Sequence, residues 1–282
     1  WNCGAEPTCC FASATFTLLL LPASRTIPRG FTCRTIARQG AYSWSNRDAC
    51  AVFQRLRASR ASHIPGLYLI TSICGLIDAA CFLALGGVLA ELMTGNLIFF
   101  AVGLGSGTAS AEQLSRYVTA FVPFIIGAYL GGRILRGPAF LRERRRGFIL
   151  EWLVIVLATV LTVILHPGES GYPRAIVVGL LALAMGIQNA LIREHGIPNL
   201  ATNVLTLTLT GLLADPRGPQ APHRKRRQFS SIAIFVVSAT VGAFLVRYSV
   251  AVPLLVATLI FTLALYWLIP ARGEIRIAEP VG

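Results

Sequence analysis

The stretch Gly75-Leu76-Ile77-Asp78-Ala79-Ala80 lies in an apolar run that leads to Met93-Thr94-Gly95-Asn96. It sets a carboxyl deep in a lipid-compatible helix and follows it with a small, polar, glycine-containing break. An altered copy, Ala184-Met185-Gly186-Ile187-Gln188-Asn189-Ala190 followed by Thr206-Leu207-Thr208-Leu209-Thr210, stands further along. A helix of this composition that then stops at small polar residues implies a membrane protein, and the second copy implies a duplicated unit.

Composition supports lipid as the main solvent. Hydrophobic residues make up 55% of the chain and charged residues 13%, with mean hydropathy +0.66, outside the range of soluble domains. Lys and Arg outnumber Asp and Glu by 25 to 12, a formal charge of +13. The bases sit in short clusters between apolar spans, so membrane orientation accounts for them better than nucleic-acid binding does. The seven cysteines, five of them at Cys3, Cys9, Cys10, Cys33 and Cys50, show neither zinc spacing nor a disulfide framework. Cys74 and Cys81 read as small apolar residues of the first span. Residues 1–64 carry scattered Cys and Arg and are expected to form a poorly ordered amino-terminal extension.

Six stretches approach the roughly 17 to 25 apolar residues of a span: Leu67–Ala90, Tyr117–Leu135, Gly147–His166, Ala175–Ile192, Phe229–Val246 and Val250–Ile269. Two shorter ones, Leu97–Val102 and Leu200–Leu213, are interrupted by Gly, Thr or Asn. Basic residues favour six crossings. Arg133 to Arg146 and Arg217 to Arg227 then both face the cytoplasm, with both termini and the tail 271–282. The short stretches become non-spanning or half-helical inserts.

The membrane domain, 65–270, divides into repeats at about 67–166 and 174–269. Gly75 and Gly186 are 111 apart, as are Asp78 and Asn189; Thr94 and Thr206 are 112 apart, and Gly127-Ala128-Tyr129-Leu130 precedes Gly242-Ala243-Phe244-Leu245 by 115. Three spans per unit is odd, so the second unit enters from the opposite side. The expected fold is an all-α integral membrane protein of six helices in a 3+3 inverted repeat with two inserts. Secondary transporters place binding sites between such repeats, at broken helices near the midplane.

Asp78 is the sharpest functional signal, because an acid half-way along a span must face protein or water and have a partner. It reads as a proton or cation site, or as a structural Asp bonded to Asn189 or Gln188. Thr94, Gly95, Asn96, Gln188, Asn189, Thr206 and Thr208 are the candidate lining of a substrate or ion pathway; tight helix packing, as at Gly127 and Gly131, uses the same residue types. Glu151 reads as a partner of the Arg142–Arg146 cluster, Arg133 and Arg247 as snorkelling at span ends, and Pro123 and Pro253 as kinks. No GxSxG elbow, P-loop or paired histidine suggests an enzyme, and no metal or cofactor is expected. Gly103-Leu104-Gly105-Ser106-Gly107 reads as a flexible turn.

Gly75 and Asp78, Met93 to Asn96, Ala184 to Ala190 and the threonines of 202–210 together resemble the YoaK-like family of bacterial membrane proteins, defined by a domain of unknown function. The resemblance covers about Pro65 to Ile269. It departs at Leu207, where the family pattern has Gly between two threonines. It implies a polytopic inner-membrane protein of about six helices and supplies no activity. The leading reading is a small-solute or ion transporter with Asp78 as coupling site; the alternative is a membrane scaffold that binds a protein or lipid partner. The lipid bilayer is the expected surrounding, and glycine-rich faces permit a homo-oligomer.

Overall fold

The computed structural model describes residues 64–107, 109–135, 140–167, 171–195 and 221–268, with the single positions 209 and 213. These form seven helices: α1 (Ile64–Ala84), α2 (Met93–Ser106), α3 (Ala111–Ile134), α4 (Phe140–Leu165), α5 (Tyr172–His195), α6 (Ala221–Val246) and α7 (Ala251–Leu268). All except α2 are long and apolar enough to cross a membrane. The described residues are thus all-helical, with six candidate spans among them.

Local chemistry explains where the helices stop. The first span is expected to reach Ala90, yet α1 ends at Ala84, because Gly86 and Gly87 take positive φ of 97° and 74° and turn the chain back. α2 ends on Gly107 in the left-handed conformation. The run Gly103 to Ser106, expected as a turn, is instead its last helical turn. α3 begins six residues before the predicted Tyr117, at a capping box: Ser110 Oγ accepts from the Gln113 amide at 3.2 Å, and Gln113 Oε1 accepts from the Ser110 amide at 3.0 Å. Pro253 falls in the first turn of α7, where its missing N–H has no helical partner to lose, so it is no mid-helix kink.

Packing divides the bundle into two groups. α1 is the hub of one, packed on α6 and α7; α5 is the hub of the other, packed on α3 and α4. Glycine permits the closest approaches. A Cβ on Gly75 would collide with Ser238 Oγ and come within 2.7 Å of the Phe235 carbonyl oxygen, while one on Gly242 would lie 3.1 Å from Leu76 Cα. In the other group a Cβ on Gly186 would meet the Phe124 carbonyl oxygen, and one on Gly127 that of Leu183. Gly131, which would bring its Cβ 2.8 Å from that of Ala190, continues the same face. The Gly127/Gly131 pair therefore serves helix packing.

The groups meet where α4 faces α7. Trp152 Nε1 donates to Thr262 Oγ1 at 2.9 Å, and the Thr159 and Thr258 hydroxyls lie 2.9 Å apart. Outward faces are apolar, with Ile125, Leu153, Ile164, Val237, Leu259 and Leu263 exposed, while Asp78, Glu91, Glu151 and Gln188 are buried. Apolar side chains outside and polar ones inside are what a lipid surrounding favours.

Candidate functional site

The site begins where the chain folds back along α1. Asp78 stands six residues before the end of α1 and is 4% exposed. Its Oδ1 accepts from the amides of Ala90 and Glu91 at 2.7 and 2.9 Å. From the other side, buried Asn96 accepts from the Leu89 amide at 2.9 Å and donates to the Leu89 carbonyl at 2.6 Å. Non-helical backbone in a membrane interior needs such partners. Leu92, the residue before α2, brings no side-chain cap; Asp78 meets the amides just ahead of it from another helix, as a capping residue would.

This fold-back carries Glu91 into the core. Glu91 is 3% exposed and neither carboxyl oxygen has a hydrogen-bond partner; Asp78 Oδ2 is buried in the same condition. The Cys74 thiol and the Asp78 carboxyl are its electrostatic neighbours. Glu151 of α4 is fully buried, with both oxygens unpartnered, and lies within electrostatic reach of Glu91. From α5, Gln188 Nε2 donates to Cys74 Sγ at 2.9 Å, while its Oε1 is buried without a partner. Two helices from one group of the bundle, one from the other, and the turn 85–92 thus bring Asp78, Glu91, Glu151, Gln188 and Cys74 together.

Insertion-based scales charge roughly 2.5 to 3.5 kcal/mol for one ionised Asp at a span centre. None of the described ion pairs reaches Asp78, Glu91 or Glu151. A carboxyl here must hold a proton or, if ionised, have a cation beside it. Among the described residues no three His, Cys, Asp or Glu are grouped to hold a metal ion. The chemistry on offer is proton holding and transfer between carboxyls, with amide and thiol dipoles at hand.

Of the predicted site residues, Asp78, Asn96 and Gln188 gather at this locus. Gly95 is half-buried beside Leu89, and the Thr94 side chain is exposed on the first turn of α2. Asn189 is not the partner of Asp78: its Nδ2 donates back to the Met185 carbonyl at 3.0 Å. Thr206 and Thr208 lie outside the described residues. Glu151 does not pair with Arg146, which is engaged with Glu143 at 3.0 Å, more than one helical turn away along α4. Glu91 escaped sequence reasoning. Its one signal is an acid 13 positions after Asp78, at the head of a stretch without Lys or Arg as far as Ser115.

The fold and its buried acids define a polytopic membrane protein with a polar core. Residues 66–267 match the family described as "Protein of unknown function (DUF1275)", and the chain belongs to that family. It is also 26% identical over 188 residues to the UPF0700 transmembrane protein YoaK of Bacillus subtilis (strain 168), covering 64% of this chain and 80% of that protein. No solved structure matches.

Proposed function

We propose that this chain is a transporter of a small solute or ion in the bacterial inner (plasma) membrane, and that Asp78, Glu91 and Glu151 carry a proton through its core. The observation that carries this reading is the pair Glu91 and Glu151, both buried and neither reached by any of the described ion pairs. Such groups are expensive in lipid and serve function in proton-moving proteins. The fold-back 85–92 followed by the short helix α2 supports an insert of the kind found at transporter midplanes. The matched glycine contacts, Gly75 with α6 and Gly186 with α3, support the inverted repeat. Arginine clusters before α4 and α6 support cytoplasmic termini, which puts the end bearing Gly86, Ser110 and Gly171 outside.

The test is solute-dependent proton flux into liposomes carrying the purified protein, with an internal pH dye and a panel of small solutes. Wild type is expected to acidify or alkalinise the lumen with at least one solute, and Glu91→Gln and Glu151→Gln to abolish the pH change. Flux unchanged in both variants would remove the carboxyls from the mechanism. The scaffold reading draws on Asp78 Oδ1 and Asn96, which are fully used in holding residues 89–91. Under it, a cysteine at Glu151 stays unreactive from both sides; a transporter exposes it by turns.

A further inference from the structure

At the end of the bundle where α1 finishes and α3 and α5 begin, two arginines from different helices converge on one glycine. A Cβ on Gly86 would stand 3.3 Å from Cδ and Nη1 of Arg174 and 3.4 Å from Cδ of Arg116. Glu112 answers part of their charge: its Oε1 accepts from Arg116 Nη2 at 2.8 Å and lies 3.8 Å from Arg174 Nη2. One carboxylate between two guanidiniums leaves a net positive charge. Arg174 is 6% exposed, yet its Nη1 has no hydrogen-bond partner, and Nε of Arg116 is buried in the same condition. Buried donors of a charged group left unpaired are costly, and guanidinium donors match carboxylate and phosphate oxygens.

Beside them opens a cavity of about 340 Å³, which Arg116 lines together with Gly86, Gly87, Gln113 and the rings of Phe82 and Tyr117. Its volume lies in the small-molecule range. Gly86, at positive φ, lets the backbone pass without a Cβ where the two arginines approach.

We infer that this cavity binds an anion that joins a carboxylate or phosphate group to an apolar body, with Arg116 supplying the donors, Phe82 and Tyr117 the apolar wall, and Arg174, which packs against Gly86 outside the lining, adding positive charge from behind. The same chemistry belongs to a free organic acid and to the headgroup region of an anionic lipid. The site is distinct from the carboxyl cluster and does not rest on the transport reading.

The experiment is thermal unfolding of the purified full chain in an uncharged maltoside, titrated with benzoate, short-chain phosphatidylglycerol or benzylammonium. A ligand that binds only the folded state raises Tm with saturation. At least one anion should do so and benzylammonium should not. Saturation by benzoate identifies a free acid as the source; saturation by the phospholipid alone identifies a lipid headgroup. Arg116→Gln should weaken the apparent affinity about tenfold, as loss of one charge-assisted bond implies, and Arg174→Gln, which removes a charge outside the lining, should weaken it less, while exposed Arg247→Gln should not. The inference is overturned if neither anion saturates, if benzylammonium acts equally, or if Arg116→Gln keeps wild-type affinity. Should Arg174→Gln fail to fold, the partly exposed Arg116 decides alone. Binding is read without flux, so a failure here and a failure of transport are separate results.

Discussion

Asp78 and Glu151 are both buried acids in spans, but they hold opposite places in the energetics. Asp78 Oδ1 satisfies two backbone amides that no helix serves. Asp78→Ala orphans both, and unfolding in mixed micelles should show a loss of about 2–5 kcal/mol. Asp78→Asn keeps an acceptor oxygen and should lose less than half of that. Glu151 satisfies nothing. Glu151→Met fills similar volume without a polar group and should raise stability by about 1–3 kcal/mol in the same titration, since it removes a buried polar group left without a partner. A destabilised Glu151→Met would assign that carboxyl to structure. Asp78 was legible because an acid in an apolar run must have a partner, structural or functional; that its partners are the amides of Ala90 and Glu91 was not. Glu91 was not, because an acid beside a glycine-containing break reads as an ordinary loop residue until the fold-back carries it inward. Glu151 was misread because nearness in sequence to Arg142–Arg146 suggests a pair that the helix rise places more than a turn apart.

The helices were largely legible as elements, because runs of apolar residues admit little else in lipid. Their ends were less so. Gly86 and Gly87 look like two more small residues of α1 until their φ values are known, and the start of α3 is set by the capping box at Ser110, which hydropathy does not register. The glycine contacts give the elements a sharp test. Gly75→Ala should separate α1 from α6, because its methyl would meet Ser238 Oγ and the Phe235 carbonyl; overpacking of this kind costs typically about 1–3 kcal/mol. Gly132→Ala has nothing within 4 Å of the new methyl and should be neutral or stabilising by about 0.5–1 kcal/mol. Chemical unfolding of the two variants beside wild type checks both. Equal effects would mean that the close approach of α1 and α6 contributes nothing.

At the scale of the molecule, orientation is the property most open to direct measurement. In a cysteine-free background, intact cells treated with an impermeant maleimide should label Ser249→Cys, between α6 and α7, and should label Arg226→Cys, near the start of α6, only after permeabilisation. The reverse pattern would invert the proposed topology. Sequence could place six spans and suggest two units, yet it could not say which helices embrace. Neighbours in the chain need not be neighbours in space: α1 packs on the distant α6 and α7, while α5 packs on α3 and on α4, which directly precedes it. That pairing dictates an order of birth. About 140 residues separate Ala84 from Ala221, and at about 5–20 residues per second the ribosome needs on the order of 10 s to make them. α3 and α5 can therefore clasp soon after synthesis, while α1, the firstborn, waits in the bilayer with the Gly75 face uncovered. A chaperone or lipid that shelters a lone polar helix would matter most during that interval, before the partner for which its glycines are shaped has been made.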